Sequence, residues 1–254
     1  MSIETSSKLN RLLTNGISGG LYFSESLKQK GYSDQLLKQY RNSGWLKSLA
    51  KGVMYRSGDH LSALRALSCY NAQMHKDFRI AAHSALEVYG FNHYVPMGKP
   101  VLMVAHTDSR APDWMHLTDF DREIKPFSTS IFQSQEVAAM NLDQTDMLVS
   151  TPELAFMECL YLAGKQYGYM DLYYIMEQLT SLRPDVLQRT LENTKSFRVK
   201  RMFLYMAEKA GHYWFHQLNS KKIELGTSKL QLVRHGVFIP KYQITIPQEL
   251  KDYE

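Results

Sequence analysis

The chain has 254 residues, of which 44% are hydrophobic and 22% charged, and its formal net charge is +5. This composition excludes a disordered chain, and no apolar run approaches the roughly 20 residues that a membrane-spanning helix needs. Residues 1–13 lack the apolar core of a signal peptide, which favours a cytoplasmic protein. Cys69 and Cys159 offer neither a CxxC pair nor a disulfide framework, so we expect two small buried side chains in a reducing cytoplasm.

The positive charge is concentrated near the N-terminus. Residues 1–60 hold nine of the 30 Lys and Arg but only four of the 25 Asp and Glu, and the rest of the chain carries 21 of each sign. A basic module on a neutral body is typical of a protein that binds a polyanion with one part of its chain. We call residues 1–60 the head and residues 61–254 the body.

Three short helices are predicted in the head. The first is expected to be capped by Ser6 or Ser7, and the glycines at 16, 19 and 20 end it. Its apolar positions share one face: Leu9, Leu12 and Leu13. The second begins at Ser24 and runs to residue 30, where Gly31 turns the chain.

The third predicted helix has a polar stripe suited to DNA. Ser33 is expected to cap a helix over 34–42, which Gly44 ends. Leu36, Leu37 and Tyr40 are expected to point inward. The opposite stripe consists of Gln35, Lys38, Gln39 and Asn42, with Arg41 at its edge. Gln and Asn side chains bond adenine in two places, and Lys reaches guanine or phosphate. A solvated helix face is the alternative, but the turn spacing and the charge asymmetry favour DNA.

Residues 45–56 predict a β-hairpin wing. Two short β-prone runs flank the turn at Ala50-Lys51-Gly52. The expected inward anchors are Trp45, Leu49, Val53 and Tyr55. The head is therefore predicted to be a winged helix-turn-helix. Its base-edge contacts would be Ser33, Gln35, Lys38 and Gln39. Its phosphate contacts would be Arg41, Lys47, Lys51 and Arg56.

The body is predicted to be a larger mixed α/β (α+β) domain, because helical and strand patterns alternate. A helix at about 61–75 would link it to the head. The further predicted elements are a strand-to-helix passage at 78–90, helices at 151–163, 170–181, 185–192 and 196–211, and strands at 93–95, 101–107, 147–150, 222–225, 230–233 and 242–246.

No catalytic group stands out in the sequence. Residues 16–20 fit the GxSxG pattern of a nucleophile elbow, but the preceding segment is predicted to be a helix rather than the required strand. His212 and His216 lack a third metal ligand, which favours aromatic packing. Five acidic residues favour a solvated loop over a Mg²⁺ site: Asp108, Asp113, Asp119, Asp121 and Glu123. We therefore expect neither an enzyme nor a metal or other cofactor.

One basic run stands out in the body. Between residues 195 and 222 the only acid is Glu208. The basic residues are Lys195, Arg198, Lys200 and Arg201, followed by Lys209, Lys221 and Lys222. This pattern predicts an amphipathic helix with a cationic face. Such a face is either simply solvated or a second docking surface for DNA or for an acidic or nucleic-acid-handling protein, and both interpretations stay open.

Several segments resemble, in order along the chain, the AbiEi antitoxins, which are the transcriptional-regulator half of an abortive-infection (type IV) toxin–antitoxin pair used in phage defence. They are residues 43–46, 52–55, 82–90, 93–96, 151–155, 195–203, 225–229 and 242–247. Leu154 stands where an arginine is common in the family, and Thr227 stands where a serine is common. The shared order along the whole chain makes the resemblance specific.

The resemblance implies a non-enzymatic protein with two roles. The head would bind inverted repeats in double-stranded DNA upstream of its own operon and repress it. The body would counter a co-encoded, AbiEii-like nucleotidyltransferase toxin, directly or functionally, through basic residues of the kind found at Lys195, Arg198, Lys200 and Arg201. Two alternatives stay open: a nucleic-acid-processing enzyme that uses Asp108 or Asp113, and a repressor whose body senses a small molecule.

Overall fold

The structure, a computed structural model, describes residues 3–91, 98–107, 110–133 and 136–253. Helices and strands are mixed along the chain, which confirms the predicted fold class. The chain forms two compact units, the first comprising Met1–Arg79, Pro96–Ser128 and Ala139–Leu148, the second Ile80–Val95, Thr129–Ala138 and Val149–Glu254. Among the helices in these described ranges, none has the length and apolar character needed to span a membrane.

The head contains three helices and three strands. The helices are α1 (Ile3–Asn15), α2 (Ser24–Gln29) and α3 (Asp34–Asn42), and the strands are β1 (Tyr22–Phe23), β2 (Leu46–Ala50) and β3 (Val53–Arg56). Strand β3 is central and pairs antiparallel with both neighbours, with Tyr22 opposite Met54 and Leu46 opposite Arg56. Helix, turn, helix and hairpin thus follow in the predicted order. Strand β1 was not predicted because two residues are too few to show an alternating pattern.

The core of the head joins its helices to its sheet. The buried members are Leu9, Leu12, Tyr22, Leu27, Tyr32, Leu37, Tyr40, Leu46 and Met54. Each helix contributes its apolar stripe, as an amphipathic surface helix does. The hydrophobic burial that holds the head together therefore leaves the opposite helix faces available to solvent.

Two predictions about the head are wrong. The cap at Ser6 or Ser7 is wrong because α1 already begins at Ile3. The inward position of Trp45 is wrong because Trp45 is 47% exposed, whereas Leu46 is 1% exposed. Trp45 N donates to Tyr40 O at 3.0 Å, so Trp45 still belongs to the turn that ends α3 and does not follow the strand's alternation.

The remaining elements follow in chain order: α4 (Ala63–Met74), β4 (Arg79–Ile80), α5 (Ala82–Val88), β5 (Val101–His106), a 3₁₀ helix (Asp113–His116), β6 (Glu123–Ser128), β7 (Val137–Leu142), β8 (Thr145–Ser150), α6 (Pro152–Tyr161), α7 (Tyr169–Gln178), α8 (Pro184–Glu192), α9 (Phe197–Ala210), two further 3₁₀ helices (Tyr213–Gln217 and Ser220–Lys222), β9 (Leu230–Gln231), β10 (Val237–Ile239), β11 (Ile244–Ile246) and α10 (Gln248–Asp252). The helix predicted at about 61–75, the passage at 78–90 and the helices from 151 to 211 are confirmed, with shifts of a few residues at their ends. The role of the first as a link stays a prediction.

Strands and aromatic rings build the rest of the first unit. Strands β5 and β6 are parallel, with Val101 opposite Glu123 at one end and His106 opposite Ser128 at the other. An aromatic cluster has ring centroids 5.3 to 6.0 Å apart; its members are Phe23, Tyr70, Phe78, Trp114 and Phe120. Such tilted and edge-on pairs stabilise a core beyond their simple burial.

The second unit is built around α6, which is buried over most of its length. Helices α5, α8 and α9 pack against it. Near the C-terminus, β11 lies between antiparallel β10 and parallel β9. The predicted strand at 222–225 is wrong, since a 3₁₀ helix at Ser220–Lys222 ends within it and no strand follows until β9. The predicted strand at 93–95 lies outside the described residues.

Candidate nucleic-acid interface

The polar face of α3 lies on the surface of the head. Leu37 and Tyr40 are buried and fix the rotation of the helix about its axis. The side chains of the predicted stripe are exposed: Gln35, Lys38, Gln39, Arg41 and Asn42. The side chains of Gln35, Lys38 and Gln39 have no hydrogen bond or ion pair with any described residue. Their amide and ammonium groups are therefore available to an external partner.

Ser33 holds the start of this helix. Leu36 N donates to Ser33 Oγ at 3.2 Å, which confirms the predicted N-cap. A capping hydroxyl that accepts this bond keeps its own proton for donation. Ser33 is exposed and lies directly before the polar stripe, so it can both fix the helix and donate to a ligand.

The tip of the hairpin lies against the start of α2. Ser24 N donates to Gly52 O at 2.8 Å. Gly52 has a φ of +77°, and a Cβ at this position would lie 2.9 Å from Ser24 Oγ, so the turn favours glycine. Lys47 and Lys51 are exposed on the hairpin, and neither side chain is bonded to a described residue. The hairpin thus presents two available cations beside α3.

A groove of about 610 Å³ lies between α2, α3 and the hairpin. Three cations line it, namely Lys28, Arg41 and Lys51. Lys28 Nζ pairs with Asp34 Oδ2 at 2.8 Å, and Arg41 Nη1 lies 3.1 Å from Met54 Sδ. Lys28 is not among the predicted contacts, although a basic residue in the last turn of the helix before α3 is a usable signal for such a groove.

Arg56 differs from the other predicted phosphate contacts because its charge is already paired. Its Nε and Nη2 lie 3.0 and 2.9 Å from Asp59 Oδ1, and Nη2 donates to Ser18 Oγ at 3.3 Å. Asp59 Oδ2 also accepts a bond from Gly19 N at 2.8 Å. This network ties the end of β3 to the loop after α1. Contact of Arg56 with phosphate stays a prediction.

The basic run of the body does not form the expected cationic face. Lys195 is exposed, and Arg198 is half-buried and donates to Ala163 O. Lys200 and Arg201 are only 3% and 0% exposed. The expected surface position is wrong for these two residues because α9 is packed against both α6 and α7. The role of the four residues in countering a toxin stays a prediction.

Backbone oxygens surround the buried cation of Arg201. Its Nε donates to Leu225 O at 2.7 Å, and its Nη1 donates to Ser228 O at 2.7 Å and to Gln243 O at 3.0 Å. Burial lowers the pKa of Arg201 from its ordinary value. The guanidinium therefore joins α9 to the segments before β9 and β11. Lys200 Nζ lies 5.9 Å from the centroid of the Phe197 ring, and burial lowers the pKa of this lysine as well.

Two candidate metal ligands, Asp121 and His212, have structural partners. No three His, Cys, Asp or Glu side chains in the described part of the chain are close enough to hold a metal ion. Asp121 Oδ1 accepts a bond from Ala63 N at 2.7 Å and so caps α4, whereas Asp108 lies outside the described residues. His212 Nε2 lies 2.6 Å from Met176 O, and its ring stacks on Trp214 at 5.0 Å, which confirms aromatic packing.

Comparison with known families finds two matches that together span nearly the whole chain. Residues 5–97 match the model of the N-terminal domain of a transcriptional regulator, AbiEi antitoxin. Residues 98–247 match the model described as transcriptional regulator, AbiEi antitoxin, type IV TA (toxin–antitoxin) system.

Among solved structures, the chain is similar to the crystal structure of the RV2827C protein from Mycobacterium tuberculosis. The two are 17% identical with a TM-score of 0.63, over 96% of this chain and 91% of that one. At this identity the likeness concerns the fold. No curated protein matches the chain significantly.

Proposed function

The chain belongs to the AbiEi antitoxin family of transcriptional regulators from type IV toxin–antitoxin systems, and from this premise we propose that it represses its own operon and counters a co-encoded toxin. Residues 1–60 act as a winged helix-turn-helix DNA-binding domain and residues 61–254 as the antitoxin domain, with α4 as the link. In these roles the protein would act in the cytoplasm, and neither role requires catalysis. The main support for the proposal is the exposed polar stripe of α3 beside a groove lined by three cations and one acid, Asp34.

Base recognition is assigned to the first turns of α3. A recognition helix enters the major groove with its N-terminal residues on the base edges. The side chains in that position are Ser33, Gln35, Lys38 and Gln39. Because Leu37 and Tyr40 are buried on the other side of the helix, insertion of this face costs no core contact. Bidentate bonds from glutamine to adenine would supply the sequence preference.

Phosphate contacts are assigned to the groove and the hairpin. Arg41, Lys47 and Lys51 are exposed around the polar stripe. Lys28 also lines the groove, but its charge is paired with Asp34. Cations in this position neutralise the backbone on either side of the major groove and set the register of the protein on the duplex. Arg56 contributes less to this attraction because Asp59 compensates its charge.

The test of repression is binding of the full chain to the inverted repeats upstream of its own operon, compared with scrambled DNA over a salt series. We expect specific binding to the operator. The logarithm of the binding constant should fall linearly with the logarithm of the salt concentration, with a slope of about −4, as for four phosphate contacts. Equal and weak binding to both DNAs contradicts the autorepressor assignment, since a polyanion-binding head needs no operator.

The test of toxin neutralisation is co-expression with the neighbouring gene, which we expect to encode an AbiEii-like nucleotidyltransferase toxin. Of the four residues Lys195, Arg198, Lys200 and Arg201, the first two are the more accessible, so Lys195→Glu with Arg198→Glu should abolish protection. Lys251→Glu, which reverses one exposed charge on α10, is the control and should still protect. Lethality that the unaltered chain does not suppress contradicts the antitoxin assignment.

A further inference from the structure

A cavity of about 450 Å³ opens between α1, α2 and α4. Its size falls within the range of about 300–1,000 Å³ typical of small-molecule sites. Most of its surface is apolar, with Leu12, Leu27 and Tyr22 among the lining residues. The cavity is distinct from the groove beside α3, since α2 contributes Leu27 to the one and Lys28 to the other.

The charged side chains that line the cavity are all basic. They are Lys8, Arg11 and Lys30, and no Asp or Glu is among the described residues that line it. Lys8 Nζ donates to Gly31 O at 3.2 Å. Arg11 and Lys30 are exposed, and their side chains have no hydrogen bond or ion pair with any residue in the described ranges. Two available cations therefore lie at the edge of an apolar cavity.

Two tyrosines and a glutamine in the walls have partners within the protein. Tyr22 Oη donates to Leu12 O at 3.3 Å, and Tyr32 Oη donates to Lys8 O at 3.1 Å. Burial raises the pKa of both tyrosines, so both hydroxyls stay neutral at physiological pH. Gln73 Nε2 donates to Leu21 O at 2.7 Å. These hydrogen bonds fix the walls before any ligand binds. Arg11 and Lys30 are the side chains available to pair with a charged ligand.

We propose that this cavity binds a small organic carboxylate with an apolar body. The apolar body contacts Leu12 and Leu27, and the carboxylate pairs with Arg11 and Lys30. A guanidinium matches a carboxylate with two parallel hydrogen bonds. A neutral ligand of the same shape leaves both cations unpaired, and a cationic ligand meets like charge, so the charge of the lining selects an anion.

Occupancy also bears on DNA binding, a step that rests on the proposed function. Helix α2 carries Leu27 in the cavity and Lys28 in the groove, and Lys30, which lines the cavity, caps the C-terminal end of this helix. A bound carboxylate adds negative charge to the basic head and lowers its attraction for phosphate. The ligand should therefore weaken operator binding severalfold at low salt.

Isothermal titration of the full chain with octanoate and with 1-naphthoate tests the site, with octan-1-ol as the neutral probe. We expect saturable one-to-one binding of at least one carboxylate and none of octan-1-ol. Arg11→Gln with Lys30→Gln should weaken carboxylate binding at least tenfold. Lys76→Gln removes an exposed charge that does not line the cavity and should leave binding unchanged.

Three outcomes overturn the site: neither carboxylate binds saturably, octan-1-ol binds as tightly, or the double variant binds like the unaltered chain. Since Arg11 and Lys30 are exposed, thermal unfolding of the double variant should match that of the unaltered chain, and Ala72→Trp, which fills the cavity, gives a second test that should abolish binding. If the chain binds a carboxylate but does not bind its operator, the repressor role is contradicted and the carboxylate site is not. Carboxylate binding without any change in operator affinity removes only the coupling.

Discussion

Helices α3 and α9 both carry basic residues but use them in opposite ways. Each begins after a capping serine, since Ser33 Oγ accepts from Leu36 N and Ser196 Oγ accepts from Val199 N. Helix α3 exposes its polar stripe, whereas α9 buries Arg201 among backbone oxygens. The basic residues of a helix therefore do not show by themselves whether their side chains reach the solvent. This depends on the elements that cover the helix.

The difference follows from how many sides of each helix are covered. Helix α3 buries one apolar stripe in the core of the head, so its opposite face stays in water. Helix α9 packs against α6, α7 and β11, and eight of its residues are buried. In the head, cations are available to a partner. In the body, buried cations hold the chain together, and the following substitutions separate these two uses.

The largest expected effect is on stability in the body. Arg201→Met should lower the free energy of unfolding by about 3 kcal/mol, because the oxygens of Leu225, Ser228 and Gln243 lose their charged donor. Urea unfolding followed by circular dichroism measures the change. The matched substitution in the head, Arg41→Met, should cost less than about 0.5 kcal/mol. If the two variants lose the same free energy of unfolding, the proposed difference between the buried Arg201 and the exposed Arg41 is contradicted.

A second buried charge makes the stability of the body depend on pH. Glu153 is buried and accepts bonds from Arg183 N, Nε and Nη2 at 2.9, 3.0 and 3.0 Å. Burial alone would raise the pKa of Glu153, but the hydrogen bonds from Arg183 lower it below its ordinary value. A lowered folded-state pKa stabilises the protein above the unfolded-state pKa, and this contribution is lost as pH falls through the folded-state value.

Glu153→Gln should therefore lower stability by about 1–2 kcal/mol at pH 7, a modest figure because Arg183 is 55% exposed. The unaltered chain should lose stability as the pH falls from about 5 to about 3, and the variant should lose less over the same range. Unfolding in urea at several pH values measures both. Asp34→Asn, in the exposed pair with Lys28, should leave the pH profile unchanged. If Glu153→Gln has the same pH profile as the unaltered chain, the pair of Glu153 with Arg183 is not the source of the pH dependence.

On α3 the expected effect is on recognition and not on stability. Gln39→Ala should reduce discrimination at one operator position by roughly 1–2 kcal/mol, because its amide faces solvent and would bond one base. Fluorescence anisotropy with single-base operator variants locates that position, and urea unfolding should show no change. Asn10→Ala, an exposed position on α1, is the control. Loss of affinity for every sequence alike contradicts base readout by Gln39.

The sequence predicts α3 well because its signals are local. The serine cap, the apolar spacing and the terminal glycine all lie within 12 residues of one another. Arg201 could not be placed from sequence, since its burial depends on carbonyl groups 24 to 42 residues away. Lys28 was missed for a related reason, as the groove it lines forms only when α2, α3 and the hairpin meet. Spacing along one helix reports which residues share a face, but not which other elements cover that face.

Lys51 and Arg56 offer the finest test, because both are cations of the hairpin and differ in pairing. Lys51→Ala should weaken binding to all DNA sequences alike and make the salt slope shallower by about one, since a free cation that neutralises one phosphate is lost. Arg56→Ala should change the slope less, because Asp59 already compensates its charge, and should instead weaken the link between β3 and the loop after α1. Anisotropy titrations over a salt series give the slopes, and thermal unfolding reports the link. An unchanged salt slope for Lys51→Ala means that Lys51 of the hairpin does not contact a phosphate. If both variants change the slope equally, the pairing with Asp59 does not prevent Arg56 from contacting a phosphate.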